Sequence, residues 1–290
     1  MNPIVESFYD KATSTFTYVV YDRIGGRAAI VDPVLDFDPA SARTSTASAD
    51  RVLDFASAHG LVVDWILETH AHADHLTAAA YLKRQTGAKV AIGRGITQVQ
   101  VRFKALFGLE PDFATDGRQF DRLFADGDTF GIGALRARVV ATPGHTDDSL
   151  TYVIGDAAFV GDTVFAPETG TARADFPGGD ARKLYRSIRR LFDLPEHTRL
   201  FLCHDYPPDG GDARAQSSLD EQRLRNVHVG GDAGEDAFVA LRTARDATLP
   251  APKLILPALQ VNIRAGELPP PDANGIRYLR LPIDQLGAAK

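Results

Sequence analysis

Residues 69–75 (THAHADH) place four groups able to bind a metal within six positions of the chain. These groups are the side chains of His70, His72, Asp74 and His75. An apolar run over 62–67 (VVDWIL) comes directly before them, so the pattern predicts a strand that delivers a metal-binding loop. Imidazole suits Fe, Zn, Cu and Ni, and the carboxylate adds a hard anionic ligand. A solvated polar turn is the alternative, but clustered His and Asp favour a metal site.

Three more candidate ligands follow other predicted strands. His145 comes after a strand that ends near Thr142, Asp162 follows Phe159-Val160-Gly161, and His204 follows residues 200–203 (LFLC). Rigid scaffolds place functional groups where strands end. For each residue alone, a hydrogen-bonded polar side chain is the commoner explanation. Together with the 70–75 cluster, the three predict one site assembled from several strand ends.

The elements that must position these groups alternate along the chain. Strands are predicted at 14–21, 28–31, 62–68, 89–92, 135–142, 150–154, 157–160 and 199–203. Helices are predicted at 48–59 (with Ser48 as the cap), 76–86, 97–107, 180–192, 215–227 and 235–246. We further expect a loop at 34–48, a hairpin around 120–130 and an irregular Pro-rich end over 249–290 with a strand at 254–256. The alternation in two blocks, about 4–110 and 118–230, indicates two sheets with helices outside.

Composition limits the classes of function. The chain has 290 residues, 44% of them hydrophobic, which is enough for one large domain or two small ones. A net charge of -6 without a Lys/Arg block argues against nucleic acid or an anionic membrane as partner. Cys203 is the only cysteine, so no intrachain disulfide can form. The N-terminal residues lack a secretory pattern, and no apolar run reaches the ~20 residues of a membrane helix, so we expect a cytoplasmic protein.

The order of these motifs resembles the metallo-β-lactamase fold superfamily. The resemblance rests on H-x-H-x-D-H at 70–75, then Gly144-His145, Gly161-Asp162 and His204, and it covers roughly residues 1–230. It implies an α/β fold, the αββα sandwich, in which two mixed sheets are flanked by helices and the metal site lies at one edge. We expect a single such domain over 1–290, with 230–290 as a helical and Pro-rich extension.

Finer details resemble the persulfide dioxygenases, also called sulfur dioxygenases. They are Arg-Ala-Asp-Phe at 173–176 and His-Asp-Tyr at 204–206, where glyoxalase II thioesterases more often carry His-Glu-Tyr. Residues 259–266 (LQVNIRAG) resemble the bacterial branch labelled β-lactamase-like hydrolases. The family resemblance implies one Fe(II) per chain held by His70, His145 and Asp162, a two-His-one-carboxylate triad. The remaining candidates then support the ligands or are the remains of a second metal site: His72, Asp74, His75 and His204.

The reaction that this resemblance implies is the oxidation of glutathione persulfide by O₂ and water to sulfite and glutathione. Tyr206 is expected near the open face of the iron, with a buried core tyrosine as the alternative. Arg173 is expected to bind a glutathione carboxylate, unless it forms an ion pair with Asp175. Asn262 and Arg264 are weaker candidates for substrate contact. Cys203 is expected to be a buried, inert thiol rather than a reactive one.

Two other functions stay open at this point. A dinuclear zinc hydrolase of glutathione thiolesters, as in glyoxalase II, would use all seven metal-binding residues. A non-catalytic member would bind a metal or a thiol metabolite to sense sulfur stress. Beyond glutathione persulfide and O₂, the partners left open are a second copy of the chain in a homodimer and a separate sulfurtransferase. The sulfurtransferase must be separate because the single cysteine leaves none for a second catalytic domain.

Overall fold

Two mixed β-sheets form the centre of the computed structural model, which describes residues 1–207, 211–231 and 233–286. The first sheet has the order β1-β2-β3-β6-β8-β9. Its strands are β1 (Ile4–Asp10), β2 (Thr15–Tyr21), β3 (Arg27–Val31), β6 (Val62–Leu67), β8 (Lys89–Gly93) and β9 (Arg122–Phe124). A small sheet beside it joins β4 (Val34–Asp38), β5 (Arg43–Ser45) and β7 (Leu76–Thr77).

The second sheet runs β10-β11-β12-β13-β14-β15. Its strands are β10 (Thr129–Ile132), β11 (Leu135–Ala141), β12 (Leu150–Ile154), β13 (Ala157–Phe159), β14 (Arg199–Phe201) and β15 (Gln216–Ser218). Strands β13 and β14 are parallel, and β11 runs in the same direction because two antiparallel pairings separate it from β13. The ends of these three strands therefore lie at one edge of the sheet.

Helices cover the outer faces of both sheets. They are α1 (Ala47–Ala58), α2 (Ala79–Thr86), α3 (Ile96–Phe107), α4 (Ala181–Phe192), α5 (Leu219–Arg225), α6 (Glu235–Asp246) and α7 (Ile255–Asn262). Strand β2 shows the layering, because successive side chains of a strand point to opposite faces. Val20 packs in the core between the two sheets, whereas Val19 packs in the core shared with α1, α2, α3 and α7. A third core lies between the second sheet and helices α4 and α6. The predicted αββα sandwich is confirmed.

Several local predictions are wrong because the partners of a segment are distant residues; residues 76–77 and 216–218, for example, are strands β7 and β15 where helices were predicted. The stretch 120–130 is not a hairpin: β9 pairs with β8 and β10 pairs with β11, so its turn crosses between the sheets. The expected loop at 34–48 contains β4 and β5, and Ser48 bonds to Asp36 instead of capping α1. Residues 254–256 begin helix α7, because their apolar side chains pack among helices. Within the described residues, no helix is long and apolar enough to cross a membrane.

Candidate metal centre

Two imidazoles and a carboxylate meet where the sheets end. His70, His145 and Asp162 lie just beyond β6, β11 and β13, and one ligand atom from each lies within 4.8 Å of those of the other two. All three side chains are buried. The prediction that these strand ends assemble one cluster agrees with this geometry, because β11 and β13 run in the same direction.

His70 is held in the tautomer that can bind a metal. Its Nδ1 lies 3.0 Å from the hydroxyl of Thr69, and that hydroxyl donates its proton to Asp32 over 2.9 Å. The hydroxyl can then only accept from the ring, so Nδ1 carries the proton and Nε2 keeps its lone pair. Burial, and next the His72 ring, keep the pKa of His70 well below its usual value, so the ring is neutral.

His145 is oriented in the same way by a different group. Its Nδ1 lies 2.8 Å from the main-chain carbonyl of Arg173, which can only accept a hydrogen bond. Its Nε2 is therefore the nitrogen left for a metal, and it lies 3.5 Å from Asp162 Oδ2. Burial raises the pKa of the Asp162 carboxyl, but the imidazoles of His204 and His145 outweigh burial and hold it well below its usual range.

Unpaired buried atoms show that the site fits a metal ion. Among the described residues, His70 Nε2, His72 Nδ1 and His75 Nε2 are buried and make no hydrogen bond. Such atoms are costly to bury unless something binds them, and a metal ion would supply that partner. Neutral imidazole and carboxylate are the donor types that iron and zinc take. The chemistry of the cluster is therefore that of a metal centre.

The other predicted group stands beside this cluster. His72, Asp74 and His75 also bring one ligand atom each within 4.8 Å of one another. The Nε2 of His204 lies 3.4 Å from Asp74 and 3.2 Å from Asp162. Burial lowers the pKa of His204, yet Asp74 and Asp162 raise it to about 10. These residues could complete a second metal position next to the first.

His72 faces a different environment from the other imidazoles. Its Nε2 lies 3.0 Å from Asp32 and 3.8 Å from Glu68, two buried carboxylates behind the cluster. The angle to Asp32 makes this an ion contact rather than a hydrogen bond. Burial lowers the pKa of His72, but the Asp32 carboxylate raises it to about 9. A protonated His72 balances the Asp32 carboxylate, whereas burial, and next the charge of Asp32, raise the pKa of Glu68 to about 8.

Side chains from distant elements hold residues 69–77, the metal loop. The amide of Asn262, at the end of α7, donates to the carbonyls of His72 and His75 and accepts from the N–H of Thr77, each over 2.8 Å. Asp148 accepts from the N–H of Ala71 over 2.8 Å. Asn262 is 4% exposed and its hydrogen-bonding groups face the metal loop. Its predicted contact with substrate is therefore replaced by a role in shaping the metal loop.

The predicted arginines are largely committed elsewhere. Arg264 pairs with Glu110, and its guanidinium lies 4.5 Å from the ring centre of Phe113. It does not line the cavity that opens onto the cluster, so its predicted contact with substrate is also corrected. Arg173 lines the pocket, but it binds both oxygens of Asp175 at 2.6 and 2.8 Å and donates to a carbonyl at 2.7 Å. The alternative weighed for Arg173, an ion pair with Asp175, is what the structure contains.

A cavity of about 1040 Å³ opens onto the cluster. Tyr206 lines it and is 55% exposed, so it is not a core tyrosine. Cys203, by contrast, is 1% exposed, and burial followed by the charge of Asp32 raises the pKa of its thiol well above the usual value. The expectation of a buried thiol is confirmed.

Sequence reasoning missed three cations at this cavity. Arg43, Arg245 and Lys253 line it with exposed side chains, and none of them makes an ion pair or side-chain hydrogen bond within the part of the chain that the structure describes. They come from β5, from α6 and from the segment before α7. No motif links these positions, so the sequence offered no signal for them.

Most of the chain matches a known protein family. Residues 11–204 match the model of the metallo-beta-lactamase superfamily. The chain belongs to this superfamily. All seven candidate metal-binding residues fall inside the match, whereas Tyr206 and the helices α6 and α7 lie beyond it. The superfamily segment therefore carries the metal chemistry, and the remainder supplies part of the cavity wall.

Individual superfamily members carry several names. The chain is 53% identical to a probable metallo-hydrolase of Burkholderia pseudomallei, over 97% of this chain and 99% of that protein. It is 46% identical to glyoxylase B2 of Dictyostelium discoideum, over 97% of each. It is 27% identical to the mitochondrial persulfide dioxygenase ETHE1 of Mus musculus, over 92% of this chain and 91% of that protein. Three other relatives are longer, and the chain spans 65–66% of their length.

A solved structure agrees with the fold. The crystal structure of ETHE1 from Myxococcus xanthus superposes with a TM-score of 0.72 at 32% identity, covering 91% of this chain and all of that one. The superfamily fold thus extends past the residues of the family match, into the segment that contains α6 and α7.

Proposed function

We propose that the chain is a mononuclear Fe(II) persulfide dioxygenase acting on glutathione persulfide. The observation that carries the proposal is the cluster of His70, His145 and Asp162, because two imidazoles and one carboxylate are the ligand set of non-haem iron oxygenases. His72, which a dinuclear site needs as a ligand, directs its Nε2 to Asp32, although its Nδ1 is buried and unpaired among the described residues. The likeness to proteins named ETHE1 in sequence and fold supports the same activity.

The balanced reaction converts the persulfide, O₂ and water into glutathione, sulfite and two protons. The sulfur–sulfur bond breaks, the outer sulfur loses four electrons and O₂ accepts them, and the inner sulfur takes up a proton to leave as the thiol of glutathione. Iron held by the cluster supplies the reaction with O₂, which no protein side chain can perform. The chain itself contributes the neutral imidazole of His70, the Nε2 of His145 beside Asp162, and a buried, ionised carboxylate.

Tyr206 and the cavity wall fit the remaining tasks. Burial, and next the charge of Asp162, raise the pKa of Tyr206, so its phenol keeps its proton and can donate to an anionic substrate. Phe165 and Phe176 line the cavity with apolar rings against His204 and His145. Arg43, Arg245 and Lys253, which have no ion-pair partner among the described residues, match the two carboxylates of glutathione better than Arg173, whose donors are taken.

A second candidate is a dinuclear zinc hydrolase of a glutathione thiolester. The observation favouring it is that all four residues for a second metal are present, with His75 Nε2 unpaired among the described residues. The relative named glyoxylase B2 points the same way. The two candidates differ in metal count, so metal content separates them.

Metal analysis and oxygen uptake test the proposal together. We expect one Fe per chain after anaerobic purification, and O₂ consumption with glutathione persulfide. Asp162→Ala should abolish iron retention, whereas His204→Ala should leave the iron in place. Equal metal loss in both variants, or two Zn per chain with thiolester hydrolysis, would support the hydrolase. Iron-loaded protein that consumes no O₂ with the persulfide would show that the proposal is wrong.

A further inference from the structure

A buried ion pair on α6 lies close behind the metal centre. Arg242 is 1% exposed and Asp246 is 4% exposed, and Arg242 Nε donates to Asp246 Oδ1 over 2.9 Å. Both lie outside the superfamily match at 11–204. A buried pair costs desolvation energy and is weak evidence for stability, so its other contacts indicate what it does.

Those contacts lead to one peptide group. The N–H of Ala174 donates to Asp246 Oδ2 over 2.9 Å, while the carbonyl of Arg173 accepts from Nδ1 of His145 over 2.8 Å. This N–H and this carbonyl belong to the same peptide unit, which is planar and conjugated. Arg242 Nη1 also donates to the carbonyl of Thr171 over 3.1 Å, so residues 171–174, the strap, are held against α6.

We propose that Asp246 is a positioning residue for His145 and acts through the Arg173–Ala174 peptide. The carboxylate charge polarises the peptide, and the carbonyl at its other end becomes a stronger acceptor for the Nδ1 proton of His145. A better acceptor makes the free Nε2 a stronger metal donor and fixes the orientation of the ring, as a carboxylate bonded directly to a ligating histidine does.

His70 is connected to a carboxylate in a parallel way. Its Nδ1 proton goes to the hydroxyl of Thr69, which donates to Asp32. Each imidazole of the cluster thus reaches a buried carboxylate through one intermediate group, a hydroxyl for His70 and a peptide for His145. The proposal rests on His145 as a metal ligand, as in the proposed function, but it is independent of the reaction catalysed.

Metal affinity measured by chelator competition tests the relay, with both Zn²⁺ and Fe(II) as probes. Asp246→Asn keeps the shape of the side chain and removes its charge, and we expect the metal to bind about tenfold more weakly. Asp156→Asn is the matched control. Asp156 binds Arg199 through both oxygens at 2.8 and 3.0 Å, but it precedes β13 at the edge opposite the cluster. This control should bind metal with the wild-type affinity.

A spectroscopic measurement separates positioning from a structural role. In the zinc-loaded protein, the Nδ1 proton resonance of His145 should move upfield in Asp246→Asn and stay in place in Asp156→Asn. A purely structural ion pair would lower the melting temperature without changing the affinity of the folded protein. Wild-type affinity in Asp246→Asn, or metal loss that only follows the unfolded fraction, would overturn the proposal.

Two more variants keep the result interpretable. If Asp246→Asn does not fold, the double variant Arg242→Met/Asp246→Leu removes both charges together, a replacement that buried ion pairs often tolerate. It should show the same weakening of metal binding, and wild-type affinity would again overturn the relay. His145→Ala should lose the metal in the same assay. If His145→Ala retained it, the ligand set under the proposed function would be wrong, which is distinct from a failure of the relay alone.

Discussion

The metal loop and the strap each orient an imidazole of the cluster, but different side chains hold the two segments. Both are largely irregular backbone segments that settle the orientation of an imidazole, and both are held by side chains from distant elements. A neutral amide, Asn262, joins the metal loop to α7. The strap is held by the Arg242–Asp246 pair and by His228, whose Nδ1 accepts from the N–H of Thr171 over 3.0 Å. The strap therefore depends in part on an imidazole, which titrates, whereas the Asn262 amide does not.

The largest effect is expected from Asn262→Asp in the metal loop. The variant replaces two donors with carboxylate oxygens facing the carbonyls of His72 and His75, and the lost hydrogen bonds should cost about 3 kcal/mol of unfolding free energy. The folded protein should also lose metal, because the metal loop shifts. Urea unfolding and metal content check both effects.

Gln260→Glu is the matched control for that variant. Gln260 lies on the same helix, is 1% exposed and donates to the carbonyls of Leu256 and Arg280. Neither carbonyl belongs to the metal loop or to a candidate metal-binding residue. It undergoes the same change from amide to carboxylate and should lose stability while keeping the metal. Wild-type metal content in folded Asn262→Asp would mean that the metal loop does not need the hydrogen bonds of Asn262.

A smaller effect is expected from Thr69→Val, which breaks the connection from His70 to Asp32. The His70 Nδ1 proton loses its acceptor. We therefore expect the free energy of unfolding to fall by about 1–3 kcal/mol and metal binding to weaken about tenfold. Thr151→Val serves for comparison, since the hydroxyl of Thr151 is buried and meets that of Thr142 at 3.3 Å. If both variants bind metal equally well, the hydroxyl does not orient His70.

The smallest effect concerns the strap and pH. Burial, followed by the charges of Arg242 and Arg245, lowers the pKa of His228 from 6.5 to about 4. The unfolded chain therefore takes up this proton first as the pH falls, and the stability linked to His228 is lost between about 6.5 and 4. Above that window the residue contributes no pH dependence.

His228→Gln removes this titration while keeping an oxygen acceptor for Thr171. Between pH 7 and pH 4.5, the melting temperature of the wild type should fall further than that of the variant. Parallel melting curves for the two proteins across this range would show that His228 does not confer acid sensitivity on the strap.

Much of the fold followed from local patterns. Apolar runs such as 62–67 became strands because alternating or continuous apolar residues can be buried in a sheet, and the candidate ligands followed them directly. Sequence reasoning was wrong at 120–130 and 254–256, where the local signals were correct for an extended or apolar segment but said nothing about its partner.

The sequence alone determined the types and order of the metal-binding groups, since His, Asp and their spacing are properties of the chain itself. Only the tertiary structure decided which of them share a cluster, and that Asn262 shapes the metal loop while Arg173 is paired. It alone brought Asp246 to the peptide behind His145 and three cations to one cavity. The physical reason is that a hydrogen bond or ion pair forms between neighbours in space, and these neighbours are separated by up to about two hundred positions along the chain.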